Sequence, residues 1–136
     1  MHLKVREIDT RDWPERVGHP EFLELLERHL PDVSAQVDQC DLELLHMVMG
    51  QFESSARDAY GQRLSVAKRY FDFANQVLVR AEADVLGALK VSFIEGFVLG
   101  SEDEQTARSW MPEELQQAYD AYQTWYQELL AKKGSG

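Results

Sequence analysis

The stretch that decides the fold of this chain is residues 85–99, which read VLGALKVSFIEGFVL. On a helix, with about 100° between successive residues, its apolar side chains point almost all the way round the axis. They are Val85, Leu86, Leu89, Val91, Phe93, Ile94, Phe97, Val98 and Leu99. A helix of this kind has no polar face, so we expect it to be the central helix of an all-α bundle, over about 84–99.

A strand is the competing interpretation of the same residues, because several apolar side chains also alternate with period two. Glu95 would then lie on the apolar face, and no turn signal precedes Val91, so the helix is favoured. On that helix we expect Phe93 in the core. Glu95 lies either at the rim or inside, bonded to a Tyr hydroxyl, an Arg or a backbone N–H. Gly87 and Gly96 weaken the helix but let a neighbouring element come close.

Amphipathic patterns predict the helices that surround this centre. They cover 21–30, 31–39, 41–60, 62–80 and 113–131. Asp41 is the expected N-cap of the third of these, and Gly61 is its expected end. The connections are short, so the sequence predicts one all-α domain over 1–136, with about five to seven helices. Residues 1–18 form a cap or arm, and 132–136 form a flexible tail.

Composition limits the partners and the compartment. The 136 residues carry 24 acidic and 14 basic side chains, a formal net charge of −10. This charge disfavours binding to nucleic acid or to an anionic membrane and favours a basic protein partner, although acidity that serves only solubility is the alternative. With Cys40 as the only cysteine, no signal-peptide pattern, and Lys90 and Glu95 interrupting the longest apolar stretch, we expect a soluble cytoplasmic protein.

The sequence offers few groups for catalysis. The common catalytic and phosphate-binding motifs are absent, and Cys40 and His46 do not share a helical face. The best candidate for chemistry is a set of carboxylates that could hold Mg²⁺, as in all-α nucleotide pyrophosphohydrolases. These are Glu21, Glu24, Glu27, Asp38 and Asp41. The three glutamates lie on an outward face, so a solvated surface is the favoured interpretation, and we predict no enzyme, no metal and no cofactor.

Three segments carry a resemblance to a known group of proteins. They are DLELLHMVMGQF at 41–52, RYFDFANQVL at 69–78 and ALKVSFIEGF at 88–97. The chain resembles small bacterial all-α proteins with a D-x-x-L-L-H-x-x-M-G-x-F helix, an F-D-F helix and a V-S-[FY]-[LI]-E helix, over about 22–130. Several of these look like immunity proteins of polymorphic or contact-delivered toxin systems. The resemblance implies an intracellular inhibitor that binds a cognate toxin domain, with no catalytic residues to transfer.

Two acidic surfaces are candidates for contact with such a toxin. One is the loop SEDE, with Glu102, Asp103 and Glu104, beside Trp110. It follows the central helix directly, and tryptophan is enriched at interface anchors. The alternative is that Trp110 caps one end of the bundle. The other is the outward face of the helix over 41–60. It carries Glu43, Glu53 and Asp58. An adaptor module without a toxin partner is the remaining functional alternative.

Overall fold

The fold is an all-α helical bundle, seen in a computed structural model that describes residues 8–62, 64–96 and 104–134. Side chains are not described at 60–65, 104–106 and 133–134. The helices, labelled in chain order, are α1 (His19–His29), α2 (Pro31–Gln36), α3 (Leu45–Gln62), α4 (Leu64–Leu78), α5 (Ala83–Ala88), α6 (Glu104–Ser109) and α7 (Glu113–Gly134). A 3-10 turn covers Gln39–Asp41, and a π-helical segment, Leu89–Ile94, continues α5 without a break. In the described part of the chain, no helix is long and apolar enough to cross a bilayer.

The predicted central helix exists and lies in the core. Val85, Ala88, Leu89, Phe93 and Ile94 are fully buried, and the segment packs against α3 and α7. The ring of Phe93 stacks on Phe52 of α3 with 4.6 Å between centroids. Phe93 is therefore a core residue, as the sequence predicts.

The central helix differs from the prediction in one respect, because it is not buried on every side. Lys90 and Val91 face outward, and Val91 is 53% exposed. The segment is wound as a π-helix, whose wider turn displaces the residues after Leu89 from the positions that a 3.6-residue period assigns. The predicted contribution of residues 97–99 lies outside the described residues.

Residues 8–18, which we call the N-terminal cap, pack against α4 and the start of the central segment. Ile8 and Trp13 are buried, and the backbone N–H of Ile8 donates a 2.7 Å hydrogen bond to Asp72 of α4. Val17, which is fully buried, forms a short parallel bridge with Ala81 at the start of the central segment. The cap therefore covers one end of α4; residues 1–7 lie outside the described residues.

Several predicted boundaries differ from the structure, and α2 for example ends at Gln36 rather than at 39. Asp41 does not cap α3: it lies in the 3-10 turn, where Asp38 is the capping residue and accepts a 3.0 Å hydrogen bond from the Cys40 N–H. Gly61 does not end α3, which continues to Gln62. Lys132 is not part of a flexible tail, because α7 remains helical to Gly134.

Candidate partner-binding surface

Six large apolar side chains are strongly exposed among the residues that the structure describes. They are Leu44, Met47, Val79, Val91, Trp125 and Leu130. Trp125 and Leu130 lie on the second half of α7, and the half-buried Tyr122 and Tyr126 lie with them. Spacings of three and four residues place these side chains on one side of a helix. We call the set Tyr122, Trp125, Tyr126 and Leu130 the α7 aromatic surface.

The apolar face of α7 is buried in its first half and exposed in its second half. Leu115 and Tyr119 are fully buried, whereas Trp125 is 52% and Leu130 is 46% exposed. Among the described residues, the hydrogen bonds that join α7 to α4, α6 and the central segment come from its first half, up to Tyr122. The aromatic residues beyond that point continue the apolar pattern, and Trp125 among them is exposed.

The first half of α7 is fixed by a buried amide. Asn75 of α4 is only 5% exposed, and its side-chain oxygen accepts a 2.8 Å hydrogen bond from the backbone N–H of Leu115. Its side-chain nitrogen donates to the Glu114 carboxylate at 3.1 Å. The carboxylate's bond to its own backbone N–H, and then the bond from Asn75, lower the pKa of Glu114. One side chain thus satisfies the helix N-terminus and sets its position.

A second attachment joins α7 to α6. The guanidinium of Arg108 makes two 2.6 Å hydrogen bonds to the carboxylate of Asp120, a bidentate arrangement that fixes orientation as well as distance. These bonds lower the pKa of Asp120. Gln116, one turn before Asp120, donates to the carbonyl of Arg108 at 2.9 Å. The backbone that carries the α7 aromatic surface is therefore held rigidly at its base.

Tyr122 connects the aromatic surface to the central segment. Burial of its phenol, followed by hydrogen bonding to the Glu95 carboxylate, raises the pKa of Tyr122 to about 12. Its ring lies 5.4 Å from the ring of Trp125, tilted by 56°. The exposed indole of Trp125 thus packs on one side against the ring of Tyr122, and Tyr122 is itself held by its hydrogen bond to Glu95.

The predicted acidic loop lies almost entirely outside the described residues. This applies to Glu102 and Asp103, while Glu104 is the first residue of α6 and its side chain is not described. Trp110 is half-buried after α6, and the ammonium group of Lys68 lies 4.5 Å from the centre of its ring. The cation therefore covers one face of this indole, which leaves it less available than Trp125.

The other predicted acidic face, over 41–60, is not a single surface, and its Glu43 lies before the start of α3. Glu43 and Asp58 are exposed, but Glu53 was wrongly assigned to the outward face, because its side chain is 8% exposed. Burial raises the pKa of Glu53, opposed by Arg57, whose Nε lies 2.8 Å from Oε1. The carboxylate packs against Gly96 of the central segment, where a Cβ atom would occupy its place. The missing side chain of Gly96 is what admits Glu53 to the interior.

The carboxylates considered as a Mg²⁺ site are either apart from one another or already bonded to other groups of the protein. Glu21 accepts a hydrogen bond from the Gly18 N–H at 3.1 Å, and Glu24 pairs with Arg28 at 3.3 Å. Across the described ranges, no group of three or more His, Cys, Asp or Glu side chains is arranged to hold a metal ion. His46 bonds to Ser92 at 3.1 Å, and Cys40 is exposed.

Comparison with known proteins assigns a family. Residues 23–126 match the family described as "Domain of unknown function (DUF7674)". The chain belongs to this family. The DUF7674 match begins within α1, so it leaves out the N-terminal cap, and it ends at Tyr126, so it includes three of the four residues of the α7 aromatic surface. No curated protein and no solved structure matches the chain.

Proposed function

We propose that this protein is a bacterial immunity protein, which binds a cognate toxin domain in the cytoplasm and covers its active site. The α7 aromatic surface is proposed as the anchor of that contact. The observation that carries the proposal is Trp125, an indole that is 52% exposed on a rigidly attached helix. Tryptophan and tyrosine dominate the energetics of protein interfaces, because they bury a large area at little cost in conformational entropy.

Preorganisation strengthens this anchor. Binding costs free energy when flexible side chains or loops must be ordered. Here the bonds of Asn75 and Arg108 already fix the helix, and the contact with Tyr122 already orients the indole. Binding of a partner would therefore not require the indole of Trp125 to change its orientation.

Charge supports a basic partner. The chain carries a formal net charge of −10, and the acids Glu102, Asp103 and Glu104 follow one another without an intervening base. Many toxins that act on nucleic acids or nucleotides have basic clefts, which an acidic domain attracts at long range and blocks at short range. Inhibition of this kind is stoichiometric and requires no chemistry from the inhibitor.

The test is protection of bacterial cells that express the toxin domain encoded beside this gene. We expect the parent protein to protect and the Trp125→Ala variant to lose protection. Met47→Ala is the matched control, because Met47 is exposed to a similar extent, 54%, at the start of α3. No binding between the parent protein and that toxin domain, or equal protection by both variants, would contradict the proposal.

A second measurement separates this proposal from the enzyme alternative. A metal-dependent nucleotide pyrophosphohydrolase would hydrolyse nucleoside triphosphates with Mg²⁺ and lose that activity in the Glu24→Gln, Glu27→Gln double variant. We expect no such turnover from the pure parent protein. Mg²⁺-dependent hydrolysis that disappears in the double variant would overturn the binding-protein proposal.

A further inference from the structure

A pocket of about 500 Å³ opens between α2 and α3, and none of the residues that line it belongs to α7. One water molecule occupies roughly 30 Å³ in the liquid, so a side chain of another protein can enter a pocket of this size. The lining combines two carboxylates, an amide, two hydroxyl groups and two methyl groups. It comprises Asp32, Ala35, Gln36, Ser55, Asp58, Ala59 and Tyr70.

The hydroxyl of Tyr70 in α4 is a buried polar group without a partner. Tyr70 is only 9% exposed, and its ring packs edge-on against the fully buried Phe52, with 6.2 Å between centroids. The ring is thus held by the core, and the hydroxyl at its far end is the part that reaches the pocket. No hydrogen bond joins this hydroxyl to any residue that the structure describes. Since buried polar groups are nearly always paired, its partner comes from outside the chain.

Two unpaired carboxylates come from the two sides of the pocket. Asp32 lies in the first turn of α2 and Asp58 lies on α3, and both are exposed. Within the described ranges, no base lies within ion-pair distance of either carboxylate. The charge of Asp32 acts on the buried phenol as well: burial, and then this charge, raise the pKa of Tyr70, while Arg69 lowers it. The phenol is therefore neutral, and the pocket attracts a cation.

The two walls of the pocket are tied to each other. The side-chain nitrogen of Gln51 in α3 donates to the side-chain oxygen of Gln36 at the end of α2, at 3.0 Å. The same nitrogen donates to the hydroxyl of Ser55 at 3.1 Å. Gln36 and Ser55 both line the pocket, so these bonds fix its width without using Tyr70 or either carboxylate.

We propose that this pocket binds an arginine side chain of a partner protein. The guanidinium lies between Asp32 and Asp58 and donates a further hydrogen bond to the hydroxyl oxygen of Tyr70. A guanidinium is planar and carries five donors in a fixed fork, so one group can bond acceptors on two sides at once. The ammonium group of lysine is a compact charge with three donors, which suits separated acceptors less well.

The open form of the pocket identifies a protein as the carrier of the arginine. Small-molecule sites bury about 70–90% of the surface of their ligand. Here both carboxylates are exposed, so a free ligand would stay largely in water, whereas a partner protein covers the rim with the surface around its arginine. Arginine is enriched at protein interfaces, and the net charge of −10 attracts a basic surface. This inference goes beyond the proposed function and requires neither Trp125 nor a toxin.

The experiment uses Nα-acetyl-arginine N-methylamide, which presents the arginine side chain without backbone charges. The corresponding citrulline compound, neutral and of nearly the same shape, and the corresponding lysine compound are the comparisons. Binding to the full-length protein is followed by NMR at the methyl groups of Ala35 and Ala59 and at the ring of Tyr70. We expect saturable shifts there with the arginine probe, at least about ten-fold weaker binding of the citrulline probe, and weaker binding of the lysine probe.

Charge variants assign the binding to the two carboxylates. The Asp32→Asn, Asp58→Asn double variant is expected to bind the arginine probe no more tightly than it binds the citrulline probe. The Glu15→Gln, Glu128→Gln double variant removes the same charge from exposed positions outside the pocket and is expected to bind as the parent does.

A third variant tests the hydroxyl by itself. Tyr70→Phe keeps the ring against Phe52 and removes one acceptor, so we expect about two- to ten-fold weaker binding of the arginine probe. Equal affinity of the parent for the arginine and citrulline probes, lysine binding as tight as arginine binding, shifts confined to other methyl groups, or unchanged binding in Tyr70→Phe would each overturn the proposal. No toxin is present in this titration, and Trp125→Ala is expected to leave it unchanged, so this proposal and the proposed function fail separately.

Discussion

The indole nitrogen of Trp13 donates a hydrogen bond to Nε2 of His29 at 2.9 Å, and the two rings lie 5.3 Å apart. This bond requires an Nε2 without a proton, and hence a neutral imidazole. Burial, together with the positive charges of Arg28 and Arg69, lowers the pKa of His29. The N-terminal cap is therefore fastened to α1 by a contact that exists only while His29 is neutral.

This contact predicts a loss of stability in mild acid. The native pKa of His29 lies below the unfolded value of about 6.5, so the unfolded state binds a proton first as the pH falls. The stabilisation by His29 is complete above about pH 6.5 and is lost as the pH falls from there through the native pKa. We expect the midpoint of urea unfolding to fall in this range for the parent protein and for His46→Gln, and to fall less for His29→Gln. Identical pH profiles for all three proteins would contradict the assignment.

The stacked pair of Phe52 and Phe93 predicts the position of greatest sensitivity in the core. Phe93 is fully buried, so Phe93→Ala leaves a cavity in the central segment and is expected to cost about 3–5 kcal/mol in free energy of unfolding. Val91, two residues earlier, is 53% exposed, and Val91→Ala is expected to change stability by no more than about 0.5 kcal/mol. Chemical denaturation of both variants checks this. Similar losses would mean that the π-helical segment does not orient these side chains as described.

The two glycines of the central segment are expected to respond in opposite ways to alanine. At Gly87 a Cβ atom meets no heavy atom within 4 Å, so Gly87→Ala is expected to stabilise the helix by up to about 1 kcal/mol. At Gly96 a Cβ atom would overlap the carboxyl group of Glu53, so Gly96→Ala is expected to destabilise the protein. A double-mutant cycle measures the cause: in a Glu53→Ala background, most of the cost of Gly96→Ala should disappear. If Gly96→Ala destabilised the protein equally in the Glu53→Ala background, the carboxyl group of Glu53 would not be the cause of the steric conflict at position 96.

The sequence predicts the features that follow from the apolar pattern of a single helix. It does not predict the burial of a side chain that depends on a neighbouring element. The burial of Phe93 follows from residues 85–99, and the all-α architecture follows from those residues together with the amphipathic patterns on either side of them. The exposure of Trp125 does not, because it depends on where the elements packed against α7 end, and its apolar spacing is the same as that of the buried Tyr119. The prediction that Glu53 faces outward was wrong for a related reason, because the space for its side chain is provided by Gly96, which is distant in sequence. The candidate surface therefore lies where the apolar pattern of α7 continues into exposed positions.

Two roles are separable at the proposed interface, anchoring by Trp125 and steering by the acidic loop. Trp125→Ala removes a large contact area and is expected to weaken toxin binding by at least about 2 kcal/mol, roughly thirty-fold, mainly through faster dissociation. Reversal of the acidic loop, with Glu102, Asp103 and Glu104 changed to Lys, removes long-range attraction instead. It is expected to slow association and to reduce its dependence on salt, because the screening length is about 8 Å at physiological ionic strength.

Association and dissociation rates with the toxin domain encoded beside this gene, measured at two salt concentrations, distinguish the two effects. Met47→Ala is the control for the loss of an exposed apolar side chain and is expected to match the parent in both rates. Unchanged association for the loop variant would eliminate steering by the loop while leaving the anchor in place. Unchanged dissociation for Trp125→Ala would eliminate the α7 aromatic surface, because a half-exposed indole that is buried on binding cannot be removed without faster release of the partner.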